Sequence, residues 1–387
     1  MEHLINPAVK GIEISGIRKF FNMVSGVEGM LSLTIGQPDF PTPAHVKEAA
    51  KDALDKNVTT YTHNAGLIEL REAAASFYKT KYGPVYSPEK EVIITTGASQ
   101  AIDIAFRSIL EPGVEVVLPG PVYPGYEPII KLCGAVPVYA DIRQNEFRFT
   151  AEIIAEYINE RTRCIVLPYP SNPTGVGLTE AELEEIAALV KGKDIFILAD
   201  EIYSELTYER KHTSIAKFIK DQTIVINGLS KSHSMTGWRI GMLFAPENIT
   251  KHMLKVHQYN VTCASSISQA AAVAALTDGM DDAVPMRASY GERRAYVYER
   301  LKNMGLDVVK PDGAFYFFIK IPAGGKDSFQ FALELVEKEK LAVVPGSAFS
   351  DYGEGYFRIS YAYSMDTLKE GLNRLEKNLS HPIGETN

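Results

Sequence analysis

The chain has 387 residues, 45% of them hydrophobic, which is enough for a sizeable core and, by ordinary domain sizes, for about two domains. A formal net charge of −8 with no basic block argues against a nucleic-acid partner, and no run of about 18 apolar residues occurs that would span a membrane. Three widely spaced cysteines, Cys133, Cys164 and Cys263, read as packing residues rather than a disulfide framework or a metal site, and with no apolar secretion signal at the start a cytoplasmic protein is expected.

The first forty-odd residues are expected to form an arm or to join a small domain, with Gln37-Pro-Asp-Phe-Pro-Thr-Pro43 turning into the large one. Then come seven short apolar runs, at 92–96, 115–118, 136–140, 164–167, 195–199, 223–227 and 240–245. They are rich in β-branched residues and almost continuously apolar, as strands buried on both faces are. Helical patterns separate several of them, most clearly at 100–110 and 180–190. Thr179 and Glu182 form a capping-box pattern at the start of the second. Strands alternating with helices predict a mainly parallel sheet. The 227–240 connection has little helical character, so the last strand is expected to run antiparallel. Helices follow at 267–276 and 286–301. After them, strands at 313–319 and 356–361 with helices at 328–338 and 366–379 predict a smaller α+β domain. The division is therefore 1–44 (arm and part of the small domain), 45–285 (large domain) and 286–387 (small domain).

The polar clusters fall at matching places. Thr96-Gly-Ala-Ser-Gln100 follows the first strand, and Pro119-Gly-Pro-Val-Tyr-Pro124 the second. Ser171-Asn-Pro-Thr-Gly175 follows the fourth, Asp200-Glu-Ile-Tyr203 the fifth, and Ser230-Lys231 the sixth. In a parallel sheet these clusters share one edge, where ligands of open α/β sheets bind. The inventory suits a ligand with a phosphate, a basic ring nitrogen and an electrophilic carbonyl. Gly97-Ala-Ser-Gln100 at a helix start offers free amides to a phosphate. Arg239 adds a cation of fork geometry. A carboxylate such as Asp200 keeps a pyridine nitrogen protonated. Lys231 can form a Schiff base.

Together, Ser171-Asn-Pro-Thr-Gly175, Asp200-Glu-Ile-Tyr203 and Ser230-Lys-Ser-His-Ser-Met-Thr-Gly-Trp-Arg-Ile-Gly241 resemble the class I/II aminotransferases of pyridoxal phosphate (PLP) fold type I. The resemblance runs from Leu33-Thr-Ile-Gly-Gln-Pro-Asp-Phe40 and Tyr61-Thr-His-Asn-Ala-Gly66 to Phe357-Arg-Ile-Ser360. Any one piece is weak; the ordered set is specific. It implies an α/β fold with a mainly parallel seven-stranded sheet flanked by helices, and PLP as cofactor. Lys231 matches the Schiff-base lysine and proton shuttle, and Asp200 the partner of the ring nitrogen. Asn172 and Tyr203 match the groups on the ring hydroxyl, and Tyr123 the aromatic stacked on the ring. Ala98, Ser99 and Arg239 match phosphate contacts, and Ser230 is either a turn residue or a further phosphate contact. Tyr61 matches a tyrosine reaching the phosphate of the other subunit, which implies a homodimer. Gly36, Asn172 and Arg358 match the substrate-carboxylate site.

Two positions depart from relatives. Gly228 stands where some members place a hydroxyl near the phosphate. Ser99 stands where some aspartate-type members carry a lysine, which argues against an aspartate-specific enzyme. His233, near Lys231 in sequence, is set aside as a base, and Trp238 reads as packing beside the site. Within the family the chain looks most like N-acetyl-diaminopimelate aminotransferases of lysine biosynthesis, with aromatic or alanine-type enzymes as the alternative. A carbon–sulfur β-lyase of the same fold is a further alternative. A non-catalytic regulatory binder would need an added DNA-binding segment, and the first forty residues are too short and weakly basic to supply one.

Overall fold

The computed structural model describes residues 1–24, 26–322 and 326–380. The seven apolar runs are strands β1 (Val92–Thr95), β2 (Glu115–Gly120), β3 (Val136–Asp141), β4 (Thr162–Leu167), β5 (Phe196–Asp200), β6 (Thr223–Gly228) and β7 (Gly241–Phe244). They lie in the order β1-β7-β6-β5-β4-β2-β3. Strands β2 to β6 pair in parallel, and β7 runs antiparallel to both β1 and β6, as its short connection predicts.

Alternation along each strand divides the apolar residues between two cores. Ile94, Val117, Ile165, Ile197 and Val225 face one side, with the helices Ile68–Tyr82, Glu180–Val190 and Ser266–Thr277. Ile93, Val116, Val166, Leu198 and Ile224 face the other, with the helix Ala98–Ile109. Both faces are covered, which is why no run alternates with polar residues. The Thr179–Glu182 capping box forms, with Glu182 N donating to Thr179 Oγ1 at 3.2 Å and Thr179 N to Glu182 Oε2 at 2.6 Å. All three cysteines are free thiols.

A third core lies around a small antiparallel sheet of β8 (Tyr316–Lys320), β9 (Val344–Pro345) and β10 (Tyr356–Ser360), in the order β9-β10-β8. The helices Ala283–Asn303, Ser328–Glu339 and Met365–Ser380 pack on it. The start of the chain joins this part. Leu31–Ser32 pairs in parallel with Leu341–Ala342, and Phe20, Val24 and Leu33 are buried in the same core. The first strand of the small sheet begins at Tyr316, three residues later than the sequence pattern suggests, because Gly313 bridges to Thr207 and residues 314–315 form a turn. Among the described residues no helix is long and apolar enough to cross a membrane.

Candidate active site

The carboxyl ends of β1, β2, β4, β5 and β6 open on one cleft of about 580 Å³, within the range of small-ligand sites. Residues 34–37 from the start of the chain and Arg358 from β10 complete its wall. Antiparallel β7 begins at the edge where β6 ends, with Gly228 opposite Gly241. That register brings Lys231, just after β6, and Arg239, just before β7, to the same cleft.

Lys231 sits on a helical turn, Leu229–Ser232, opened by Gly228. It is half-buried and lines the cleft. Its Nζ donates to the Gly36 carbonyl at 2.5 Å and lies 5.8 Å from the ring centroids of both Tyr203 and Phe315. Burial, and then the Arg358 and Arg239 guanidiniums, push its pKa down to about 8, with Asp200 opposing. A substantial neutral fraction near pH 7–8 is what a nucleophilic or proton-carrying amine needs.

Asp200 ends β5 and is only 7% exposed. Its Oδ2 accepts from the Tyr126 hydroxyl at 2.7 Å, and its Oδ1 from the Ile202 amide at 3.2 Å. Burial pushes its pKa up to about 6, against both hydrogen bonds; Glu201 adds to the rise and Lys231 subtracts. It forms no ion pair among the described residues. A buried carboxylate of this kind is poised for a cation from outside the chain. Tyr123 lies beside it, edge-to-face with Tyr126 at 5.5 Å, and hydrogen-bonded to Ser99.

Arg358 is 2% exposed. Nη1 donates to Asn172 Oδ1 and Nη2 to the Thr34 carbonyl, each at 2.7 Å, while Nε has no partner. The guanidinium carbon lies 4.3 Å from the Tyr316 ring centroid. Because Asn172 must turn its carbonyl oxygen to Arg358, its amide NH2 is left to donate elsewhere. The Tyr203 and Tyr316 hydroxyls share a hydrogen bond of 2.8 Å. Gly36 is pressed against this pair: a Cβ there would stand 2.6 Å from the Tyr316 hydroxyl.

At the far end of the cleft, Gly97 caps the helix Ala98–Ile109 with φ +79° and no side-chain cap, so the first amides are not covered by a capping side chain. A Cβ on Gly97 would lie within 2.4 Å of Arg239 Nη2, so the guanidinium rests directly over this turn. Ser230 also lines the cleft. Tyr61 does not. It is 84% exposed, with no hydrogen bond among the described residues. His233 faces away, its Nε2 2.9 Å from the Gly279 carbonyl and its Nδ1 2.8 Å from Ser232 Oγ. Trp238 Nε1 donates to Thr42 Oγ1 at 3.0 Å, beside the site. The structure thus brings together every expected site residue except Tyr61. It adds four that sequence reasoning missed: Tyr126, Phe315, Tyr316 and Arg18. Only Tyr126 carried a hint, lying three positions after Tyr123, and among 20 tyrosines that hint does not single it out.

The residues fit a pyridoxal cofactor. They offer an amine of lowered pKa, an unpaired buried carboxylate and a glycine-capped helix start beneath an arginine. Residues 28–375 match the model of the family described as aminotransferase class I and II. The chain belongs to the class I and II aminotransferases. It is 64% identical over 376 residues to the "Probable N-acetyl-LL-diaminopimelate aminotransferase" of Bacillus subtilis (strain 168), covering 97% of this chain and 96% of that one. It is 43% identical over 369 residues to "Aromatic-amino-acid aminotransferase 2" of Thermococcus litoralis, covering 94% and 95%. The crystal structure of an aromatic aminotransferase from Pyrococcus horikoshii OT3 superposes with a TM-score of 0.88 at 40% identity, over 94% of this chain and 98% of that chain. The architecture is PLP fold type I, in a PLP-dependent family, and the protein is an aminotransferase enzyme.

Proposed function

We propose that this aminotransferase uses PLP to move an amino group from N-acetyl-LL-diaminopimelate to 2-oxoglutarate. The observation that carries the donor is the 64% identity to the B. subtilis enzyme of that name, against 43% to the aromatic relative. When bound, PLP supplies an electron sink for the charge that develops at the substrate Cα. Lys231 carries the cofactor and, once released, moves the proton at Cα as a neutral amine. Asp200 holds the ring nitrogen in its charged form. Tyr123 covers one ring face. The Asn172 amide and the Tyr203 hydroxyl donate to the ring oxygen, and Arg358 holds Asn172 in place while receiving the substrate α-carboxylate. Gly36 leaves backbone open to that carboxylate. Ala98, Ser99, Ser230 and Arg239 hold the phosphate. The exposure of Tyr61 supports its service to a second subunit in a homodimer. The partition into 1–44, 45–285 and 286–387 then places the cofactor residues mainly in the middle unit, with Gly36 and Arg358 supplied by the flanking two.

A panel of donors with 2-oxoglutarate tests the proposal: N-acetyl-LL-diaminopimelate, tyrosine, phenylalanine, alanine and aspartate. The highest kcat/KM is expected for the first. A higher value for tyrosine or phenylalanine would move the assignment to the aromatic branch. Pyruvate and ammonia released without any oxo acid would indicate a lyase instead.

A further inference from the structure

Four basic side chains line the cleft: Lys231, Arg239, Arg358 and Arg18. The first three have tasks in the proposed function. Arg18 has none, and among the described residues it has no ion pair and no hydrogen bond. It sits on the helix Gly16–Val24, whose two faces are distinct. Phe20 and Val24, one helical turn apart, are buried in the small core, and Phe20 meets Phe329 edge-to-face at 6.0 Å. Ile17 and Phe21 border that buried pair, Arg18 projects further round the helix, and all three reach the cleft. The buried pair fixes the helix, and the cleft-facing stripe offers apolar surface around one free cation.

The anions of the reaction can be set against these cations. The cofactor phosphate goes to Arg239 and the substrate α-carboxylate to Arg358. A dicarboxylate brings one more, and among the described residues of this chain Arg18 is the remaining cation that lines the cleft. Ser99 carries no charge to pair with it and is already engaged with Tyr123. Resting on the proposed function, we propose that Arg18 is the specificity-determining cation of this site. It pairs with the distal carboxylate of the amino acceptor and of a donor that carries a second carboxylate, while Ile17 and Phe21 cover the methylenes between the two acidic ends. A ping-pong enzyme must take two different substrates in one cleft. A long, pivoting arginine on an otherwise apolar face serves chains of different length, because its guanidinium can swing where a short fixed cation cannot.

The test uses the holoenzyme with Arg18→Gln and Arg18→Lys. Being exposed and unpartnered, Arg18 can be replaced without loss of folding, which the thermal midpoint checks. In R18Q the KM for 2-oxoglutarate should rise roughly 10- to 100-fold, the size of a lost charge-assisted hydrogen bond. The KM for pyruvate, which lacks a second carboxylate, should move far less, and R18K should recover part of the loss. Independently of turnover, calorimetry should show glutarate binding weakened to the same degree in R18Q. A 2-oxoglutarate-to-pyruvate KM ratio and a glutarate affinity equal to wild type would overturn the assignment. If neither wild type nor variant transaminates any donor, the proposed function falls, and the glutarate measurement alone decides on Arg18.

Discussion

The Tyr126 hydroxyl donates to Asp200 Oδ2 at 2.7 Å, and both groups are buried. In its proposed role Asp200 must stay ionised to hold a protonated ring nitrogen, yet burial favours its neutral form. Tyr126 is the largest influence opposing that. Tyr126→Phe removes one oxygen and leaves the packing in place. We expect weaker PLP binding by roughly tenfold, in line with one lost hydrogen bond to a charge. The acid limb of the kcat/KM profile should also move to higher pH. An unchanged profile together with an unchanged PLP affinity would reduce Tyr126 to a packing residue.

Asp200 also sets a stability prediction for the cofactor-free protein. A carboxyl raised from 3.8 to about 6 binds more protons folded than unfolded across that interval. Stability therefore falls as pH rises through about 4 to 6, and the penalty stays at higher pH. The shift corresponds to a ceiling of about 3 kcal/mol, fewer after relaxation. Asp200→Asn should make the cofactor-free chain more stable than wild type at pH 8, by about 1–3 kcal/mol, with the difference vanishing near pH 4. Urea unfolding at the two pH values reads this directly. In the same variant PLP should bind more weakly, since the cation's partner is gone.

Lys231, lowered to about 8, has the opposite sign. Only the neutral amine attacks an aldehyde. The rate of PLP capture by the cofactor-free protein should rise about tenfold per pH unit below 8 and level off above it. Stopped-flow absorbance measures the rate. Lys231→Ala should show no lysine-bound cofactor band and lose at least about 10³-fold in activity. A variant that kept both would sink the assignment of Lys231.

Arg358 is tied to Asn172 and Thr34 through two 2.7 Å bonds from its planar fork. Lysine offers one point charge and cannot span both. Arg358→Lys should raise the KM for every amino acid and oxo acid, dicarboxylic or not, by roughly 10- to 100-fold. That general loss distinguishes it from Arg18, whose replacement should discriminate between acceptors.

How much of this was legible beforehand follows the physics of each element. Strands β1, β2 and β4 to β7 announced themselves because both faces are covered, so each reads as an unbroken apolar run, while β3, at the sheet's edge, is apolar although only partly buried. Their carboxyl ends then located Lys231, Asp200 and Asn172 together. The helices Ala44–Asp55, Ile68–Tyr82 and Glu247–Val261 were not anticipated. Each begins without a side-chain cap, after Pro43, Leu67 and Pro246, so the usual start signal is missing. Tyr126 and Arg18 escaped for another reason. Their significance lies in what they touch or fail to touch across the fold, and Arg18 comes from a helix anchored to the small sheet, more than 180 positions before Asp200. No local pattern encodes such a meeting.

Tyr61 remains the expected site residue that one chain does not bring to its own cleft. If it serves the neighbouring subunit, complementation follows a definite pattern. A Lys231→Ala chain has no working lysine but an intact Tyr61. A Tyr61→Ala chain has the reverse. Mixed dimers contain one cleft with Lys231 from the second chain and Tyr61 from the first. Activity should therefore recover on mixing, after unfolding and refolding together, toward about one quarter of wild type per total subunit for random pairing. If Tyr61 acted within its own chain, the cleft with Lys231 would lack Tyr61 in every pairing, and mixing would restore nothing. PLP affinity of the Tyr61→Ala homodimer gives a second readout. It should fall, because the phosphate would lose a hydroxyl donor.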